Sequence, residues 1–226
     1  MLETGPSRRR LIILGAGGHG RVCADVARRA GYAERAFCDP ALSREDDVLG
    51  VPVLREGEAD LFAKWPADSD LFVAIGDNAK RLSIVAEAMD RGLPVASLLD
   101  PAATVSPSAM IDAGSIAMPG AVLNAEARVG RAAIVNTGAI VEHGAQVGQG
   151  AHVAPGACLT GDSSVGERAF VGARASILPG VRIGNDTVVG AGAVVTRDAG
   201  DHARLVGIPA RTVHDVRLVS RGEAAS

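Results

Sequence analysis

From Val105 to Val194 the chain carries an aliphatic residue at every sixth position. The series runs Val105, Ile111, Ala117, Leu123, Val129, Val135, Val141, Val147, Val153, Leu159, Val165, Val171, Ile177, Ile183 and Val189, and only Ala117 is small. Four places after each member stands Ala, Ser, Val or Thr, with Ala in eleven of the fifteen. No 3.6-residue period runs through this stretch, and Gly and Pro recur too often for helices. Self-similarity at six residues instead predicts a parallel β-helix. Each aliphatic points inward from a short strand, and the small residue sits near a corner. Three hexads close one triangular coil, so residues n and n+18 stack in one column, with coils about 4.8 Å apart. Fifteen hexads predict five coils with no inserted loop. A Gly often follows the inward residue (Gly130, Gly148, Gly166, Gly172, Gly184, Gly190). These glycines are expected at corners that need positive φ.

Upstream, strands alternate with helices. Leu11-Ile12-Ile13-Leu14 reads as a buried strand, followed by a Gly-rich loop and a helix from about Arg21 to Ala30. A second strand spans about Arg35 to Cys38, and Val48 to Leu54 is extended. A short helix is expected at about 57–64, a third strand from Asp70 to Ile75 and a helix from about Ala79 to Arg91. A last strand, Val95 to Leu99, precedes Asp100-Pro101. This alternation predicts a small parallel sheet of Rossmann-like α/β type. The expected organisation is a disordered tail at 1–9, an α/β domain at 10–100, the β-helix at 101–198, and a cap and tail at 199–226.

The loop Gly15-Ala16-Gly17-Gly18-His19-Gly20 fits GxGxxG between a strand and a helix, and Asp39 stands where an acidic ribose partner would. A dinucleotide such as NAD is one reading; against it, the α/β part is about 100 residues, half of a dinucleotide fold, and the β-helix takes over where a second half would begin. What remains is a loop and helix N-terminus suited to a phosphate or pyrophosphate, or simply a tight turn.

Hydrophobic residues make up 47% of the 226, yet aromatics only 3%, as a narrow core of Val, Ile and Ala requires. A net charge of −3 gives no global basic surface for nucleic acid. No apolar stretch approaches the ~18 residues of a membrane span, and no signal peptide is seen. Cys23, Cys38 and Cys158 lie far apart without metal-type spacing and are expected as reduced thiols of a cytoplasmic protein.

Several groups converge on one family. The GAGGHG loop, Asp39-Pro40, Ile75-Gly76-Asp77-Asn78, Asn136-Thr137-Gly138, Glu142-His143 and Val206-Gly207-Ile208-Pro209-Ala210-Arg211 resemble the bacterial nucleotide-sugar N-acetyltransferases. These act on UDP-4-amino-4,6-dideoxy sugars or GDP-perosamine, and the sialic-acid O-acetyltransferases are related. The resemblance covers roughly residues 10–213. It implies a left-handed β-helix, a homotrimer, and acetyl-CoA bound in a groove between adjacent β-helices. The nucleotide of an amino-sugar substrate would rest on the N-terminal domain, with no metal involved. By the same resemblance His143 is the general base, and imidazole chemistry suits proton removal near neutral pH. His152, Gly161, Ala173 and Ala191 would line the acetyl-CoA site. Gly161 would offer its N–H to the thioester carbonyl, and it stands 18 residues from His143, in the same column. Gly17, Gly18, His19, Asp39 and Asn136 would contact the sugar nucleotide. His202 and His214 are expected on the surface, and Gly207 to Arg211 near the CoA and over the open end of the helix.

In several relatives an acid follows the catalytic histidine; here that position is Gly144. Glu142 precedes the histidine, and Glu126 and Asp162 are the column neighbours of Gly144 at 144−18 and 144+18. One of these carboxylates could serve His143, with the two column neighbours equal candidates, or a backbone carbonyl or water could hold the ring. Sugar O-acetylation and a non-catalytic sugar-nucleotide scaffold are the competing functions. A metal-dependent β-helix enzyme needs three histidine ligands, and the coils hold only His143 and His152.

Overall fold

A computed structural model describes residues 10–43, 45–54, 62 and 65–213. The expected disorder at 1–9, most of the expected helix at 57–64, and His214 lie outside the described residues. The α/β part comprises β1 (Arg10–Leu14), α1 (Gly18–Arg29), β2 (Arg35–Cys38), β3 (Val53–Leu54), β4 (Ser69–Val73) and α2 (Asn78–Asp90). The strands form one parallel sheet in the order β3-β2-β1-β4. The uninterrupted apolar run of β1 follows from burial on both sides. Leu11 and Ile13 pack with Phe37, Phe72 and Val26 of α1. Ile12 and Leu14 pack with Leu71, Val73 and Val85 of α2.

Beyond it runs a parallel β-solenoid of seventeen two-residue strands, spaced six residues apart from Leu98–Leu99 to Val194–Val195. Each strand pairs with the one 18 residues on, as Val141 does with Leu159. Three flat faces result. One carries eight strands, one six and one five. Both small and large members of each hexad turn inward: Val141 and Ala145 are fully buried. At the far end Arg204–Gly207 extends the eight-stranded face and Ala210–Thr212 folds back antiparallel on it, covering the last strand edge. Among the described residues no helix is long and apolar enough to cross a membrane.

Two expectations need correction. The segment 95–99 is not one strand of the α/β sheet. Val95 forms a bridge to Leu71, whereas Leu98–Leu99 pairs with Ile116–Ala117, because Leu99 is already in phase with the inward series at Val105. The glycines after the inward residues are also not at positive φ. Positive φ falls two residues later, at Ala132, Gly150, Arg168, Arg174, Asp186 and Gly192. Gly130, Gly148, Gly166 and their equivalents are bare because the next coil's backbone lies against them: a Cβ on Gly148 would stand 2.5 Å from the carbonyl carbon of Gly166.

The α/β domain sits on the eight-stranded face. The outward side chains of Leu98, Ile116 and Ile134 are sealed beneath it. Two polar clasps fix the seam. Arg81, 1% exposed, spends all five guanidinium N–H groups. Nε donates to the Ala132 carbonyl (2.8 Å), Nη1 to Ile75 and Gly76, and Nη2 to Asn78 Oδ1 and the Gly150 carbonyl (2.7 Å). Burial pushes its pKa down to about 10, so it stays charged at neutral pH. Asn78 Nδ2 donates to the carbonyls of Arg168 and Ala169. At the other side Arg29 grips the buried Asp100 with Nε at 2.7 Å and Nη2 at 2.6 Å.

Inter-coil contact predicts a sharp difference between two glycines. Gly148→Ala should lower unfolding free energy by about 1–3 kcal/mol through overpacking. Gly200→Ala, with open space and no positive φ, should stay within about 0.5 kcal/mol. Urea unfolding of the two variants checks this; equal effects would contradict the packing account.

Candidate active site

His143 stands two residues after the inward Val141, on the corner joining the six- and five-stranded faces, and is exposed. Its ring lies on the next coil. A Cβ built on Gly161 would approach His143 Cε1 to 2.5 Å and Nε2 to 2.6 Å, so only a glycine leaves the ring this shelf. The Asp162 N–H donates to the His143 carbonyl at 3.0 Å, locking the two corners in register. The Gly161 N–H has no acceptor among the described residues and so can donate to a ligand. Gly144 has φ 66°, and the Asp162 carboxylate Oδ1 stands where its Cβ would point. Glu142 Oε2 accepts the backbone N–H of His143 at 3.3 Å. Glu126, one coil back, is exposed, and its own N–H donates to Ser108 Oγ.

A second constellation lies at the seam between the domains. Helix α1 starts at Gly17 without a side-chain cap and without an acidic residue in its first turn, which leaves first-turn N–H groups open at the positive end of the helix dipole. The chain itself needs only two glycines of the loop. Gly15 has φ 101° and Gly20 would collide with the Gly15 carbonyl. Gly17 and Gly18 are exposed with nothing within 4 Å, so their bareness serves something outside the chain or nothing at all. Asp39 holds the loop: Oδ2 accepts from Ala16 N–H at 2.8 Å and Oδ1 from Ala41 N–H at 3.0 Å.

His19, in the first turn of α1, has Nε2 3.6 Å from Cys23 Sγ. Burial, then the Arg81 charge, pushes its pKa down to about 4. His152 faces it from the solenoid. Its Nε2 accepts from Asn136 Nδ2 at 3.0 Å, so Nδ1 carries the proton of the neutral ring. Its ring meets Phe170 in a T-shaped contact with 5.2 Å between centroids. Burial, then Arg81, then His19 push its pKa down to about 3. Both imidazoles are therefore neutral near pH 7 and offer hydrogen bonds rather than charge.

The expected site residues thus fall into three groups. His143, Glu142, Gly161 and Asp162 share one corner, with Glu126 a coil behind. Gly17, Gly18, His19, Asp39, Asn136 and His152 gather at the domain seam. Ala173 and Ala191 lie on the corner joining the eight- and six-stranded faces, one coil apart. The His143 corner is opposite the face that carries the α/β domain, so the first two groups of one chain lie on opposite sides of the solenoid. Arg81 and Phe170 escaped the sequence analysis. Phe170 is 18 residues from His152 and pairs with it, so the column map could have found it. Arg81 has no such signal; only the tertiary docking reveals it.

Residues 10–88 match the PglD N-terminal domain family, and residues 162–197 match the bacterial transferase hexapeptide family of six repeats. Among solved structures, the acetyltransferase domain of PglB from Neisseria gonorrhoeae is 35% identical with a TM-score of 0.86, covering 91% of this chain and 100% of that one. PerB from Caulobacter crescentus, in complex with CoA and GDP-perosamine, is 41% identical with a TM-score of 0.82, covering 90% and 97%. WeeI from Acinetobacter baumannii is 25% identical with a TM-score of 0.81, covering 90% and 99%.

The lowered histidine pKa values carry a pH prediction. As pH falls below the ordinary value of 6.5, the unfolded chain binds protons at His19 and His152 that the folded chain refuses until about 4 and 3. Stability should therefore fall as pH is lowered from about 6.5 to 4, by about 1 kcal/mol or more. His152→Asn should flatten that dependence. Urea unfolding across this range decides; an unchanged slope in the variant would contradict the buried-neutral state.

Proposed function

Because this chain belongs to the bacterial hexapeptide-repeat acetyltransferases that carry a PglD N-terminal domain, we propose that it transfers an acetyl group from acetyl-CoA to the amino group of a nucleotide-linked amino sugar. The observation that carries the reading is an exposed histidine held on a bare glycine shelf, in a chain 41% identical to an enzyme solved with CoA and GDP-perosamine. The thioester supplies an activated acyl carbon. The C–N bond forms there, the C–S bond breaks, and the sulfur leaves as a thiolate that takes up a proton from the imidazolium or from water. His143 takes the proton that the amine must lose. The Gly161 N–H, which has no acceptor among the described residues, is available to the negative charge on the carbonyl oxygen.

The uncapped start of α1 with the open Gly17 and Gly18 suits the diphosphate of a sugar nucleotide. His19, His152 and Asn136 present neutral hydrogen-bonding groups beside it. Since this cleft and His143 of the same chain face opposite ways, a working site joins the cleft of one copy to the His143 corner of another. The six-stranded face supports such an assembly: its outward residues include Val122, Ile140, Cys158 and Val194, each half-buried, an apolar stripe suited to a second copy. It is bordered on one edge by His143 and Gly161 and on the other by Ala173 and Ala191. A homotrimer built on this face would hold acetyl-CoA in the groove between neighbouring solenoids. Cys23, Cys38 and Cys158 are thiols outside any disulfide, which fits a cytoplasmic protein.

His143→Ala should lower kcat by about 10²–10⁴-fold with little change in KM, measured by CoA thiol release with UDP- and GDP-linked amino sugars. An unaltered rate would remove the mechanism. Gly17→Val should also be inactive. Oligomers co-refolded from the two inactive chains should regain turnover, whereas a site contained in one chain would leave every mixture dead.

A further inference from the structure

An imidazole that removes a proton becomes a cation, and an exposed ring lying on bare backbone has nothing in that backbone to fix its rotation or balance its charge. The carboxylates around the His143 corner can be told apart by position. Glu142 is turned onto the His143 backbone N–H. Glu126 contributes none of the three atoms nearest to a Cβ on Gly144; all three belong to Asp162. Asp162 directly follows the glycine under the imidazole, and its N–H is tied to the His143 carbonyl. Its carboxylate fills the space in which a side chain at 144 would begin. We propose that Asp162 is the positioning residue for His143, reaching from the next coil into the place that residue 144 leaves empty. This deepens the acetyl-transfer proposal and rests on it.

The backbone is compatible with the assignment. Asp162 adopts φ 58°, as Gly144 adopts 66°, a left-handed conformation that costs a non-glycine residue about 1–2 kcal/mol. A glycine would sit there without strain, as Gly180 does in the next coil of the same column at φ 71°. Glu126, Ala132, Arg168 and Arg174 take the same conformation at equivalent corners, so it belongs to the corner and does not by itself select a carboxylate. The crowding also makes two arrangements mutually exclusive. A carboxylate can rise from 144 or hang from 162, but with Asp162 in its observed conformation the same space does not hold both.

That exclusion defines the experiment, carried out on the full-length protein with acetyl-CoA and an accepted nucleotide amino sugar. Asp162→Gly should reduce kcat about tenfold, limited by the exposure and salt screening of the pair, with KM for both substrates within about twofold. Gly144→Asp alone should also be impaired, because its side chain meets Asp162. The double variant Gly144→Asp/Asp162→Gly should recover most of the wild-type kcat. Full activity of Asp162→Gly, or a double variant no better than the worse single one, would overturn the proposal. A second readout needs no turnover. In ¹⁵N-labelled protein the ring nitrogens of His143 should change shift and tautomer balance in Asp162→Asn, and an unchanged ring would overturn the proposal as well. If the wild-type chain acetylated no nucleotide amino sugar, the functional reading would fall while the ring signals still reported whether Asp162 holds His143.

Discussion

The 18-residue register of the solenoid is the constraint on which everything else depends. Backbone N–H groups of each coil donate to carbonyls of the next, as Ile140 does to Ala157 and Asn136 to Val153. Because both inward positions of the hexad are filled by Val, Ile, Leu or Ala, save for the buried Ser115, Ser163 and Thr187, the coils stack without slipping. A slip of one residue would turn the buried aliphatics outward. Close stacking leaves no room for side chains where one corner passes over another. It is for this reason that Gly161 can lie beneath His143, and that residues distant in sequence become neighbours in a predictable way.

A second constraint joins the two domains. Hydrophobic contact of Leu98, Ile116 and Ile134 with the α/β domain gives adhesion without direction. Direction comes from Arg81 and Asp100. A buried guanidinium tolerates few geometries, since each unsatisfied donor would carry a desolvation cost. Arg81 is met by carbonyls from both domains, with no carboxylate among its hydrogen-bond partners. Its charge, only partly offset by Asp77, reinforces the effect of burial in keeping His19 and His152 neutral, which leaves the seam attractive to an anion yet able to read neutral groups.

Much of this was legible in the sequence because periodicity is a local signal that survives without knowledge of the fold. The hexad series predicted the solenoid, and the spacing of 18 put Gly161 and Asp162 beside the His143 corner. It did not say which of Asp162 and Glu126 points toward Gly144, which requires the direction of a side chain. The corner glycines were expected for the wrong reason: their bareness answers crowding between coils, a non-local condition, while positive φ falls two residues later. Arg81 was invisible because its partners lie 51 and 69 residues away in carbonyls that any residue supplies. Asp39 was visible as an acid near a glycine loop, but its hold on the Ala16 N–H emerges only from the folded loop.

The central claim is that a phosphate-binding start of α1 and a histidine corner from another copy act on one substrate. The most direct measurement is CoA release by the wild-type protein with matched acceptors: a nucleotide-linked amino sugar, the same amino sugar without the nucleotide, and a nucleotide sugar bearing a hydroxyl in place of the amine. The account predicts turnover with the first and little with the other two. Equal rates with the free amino sugar, or preference for the hydroxyl compound, would contradict it.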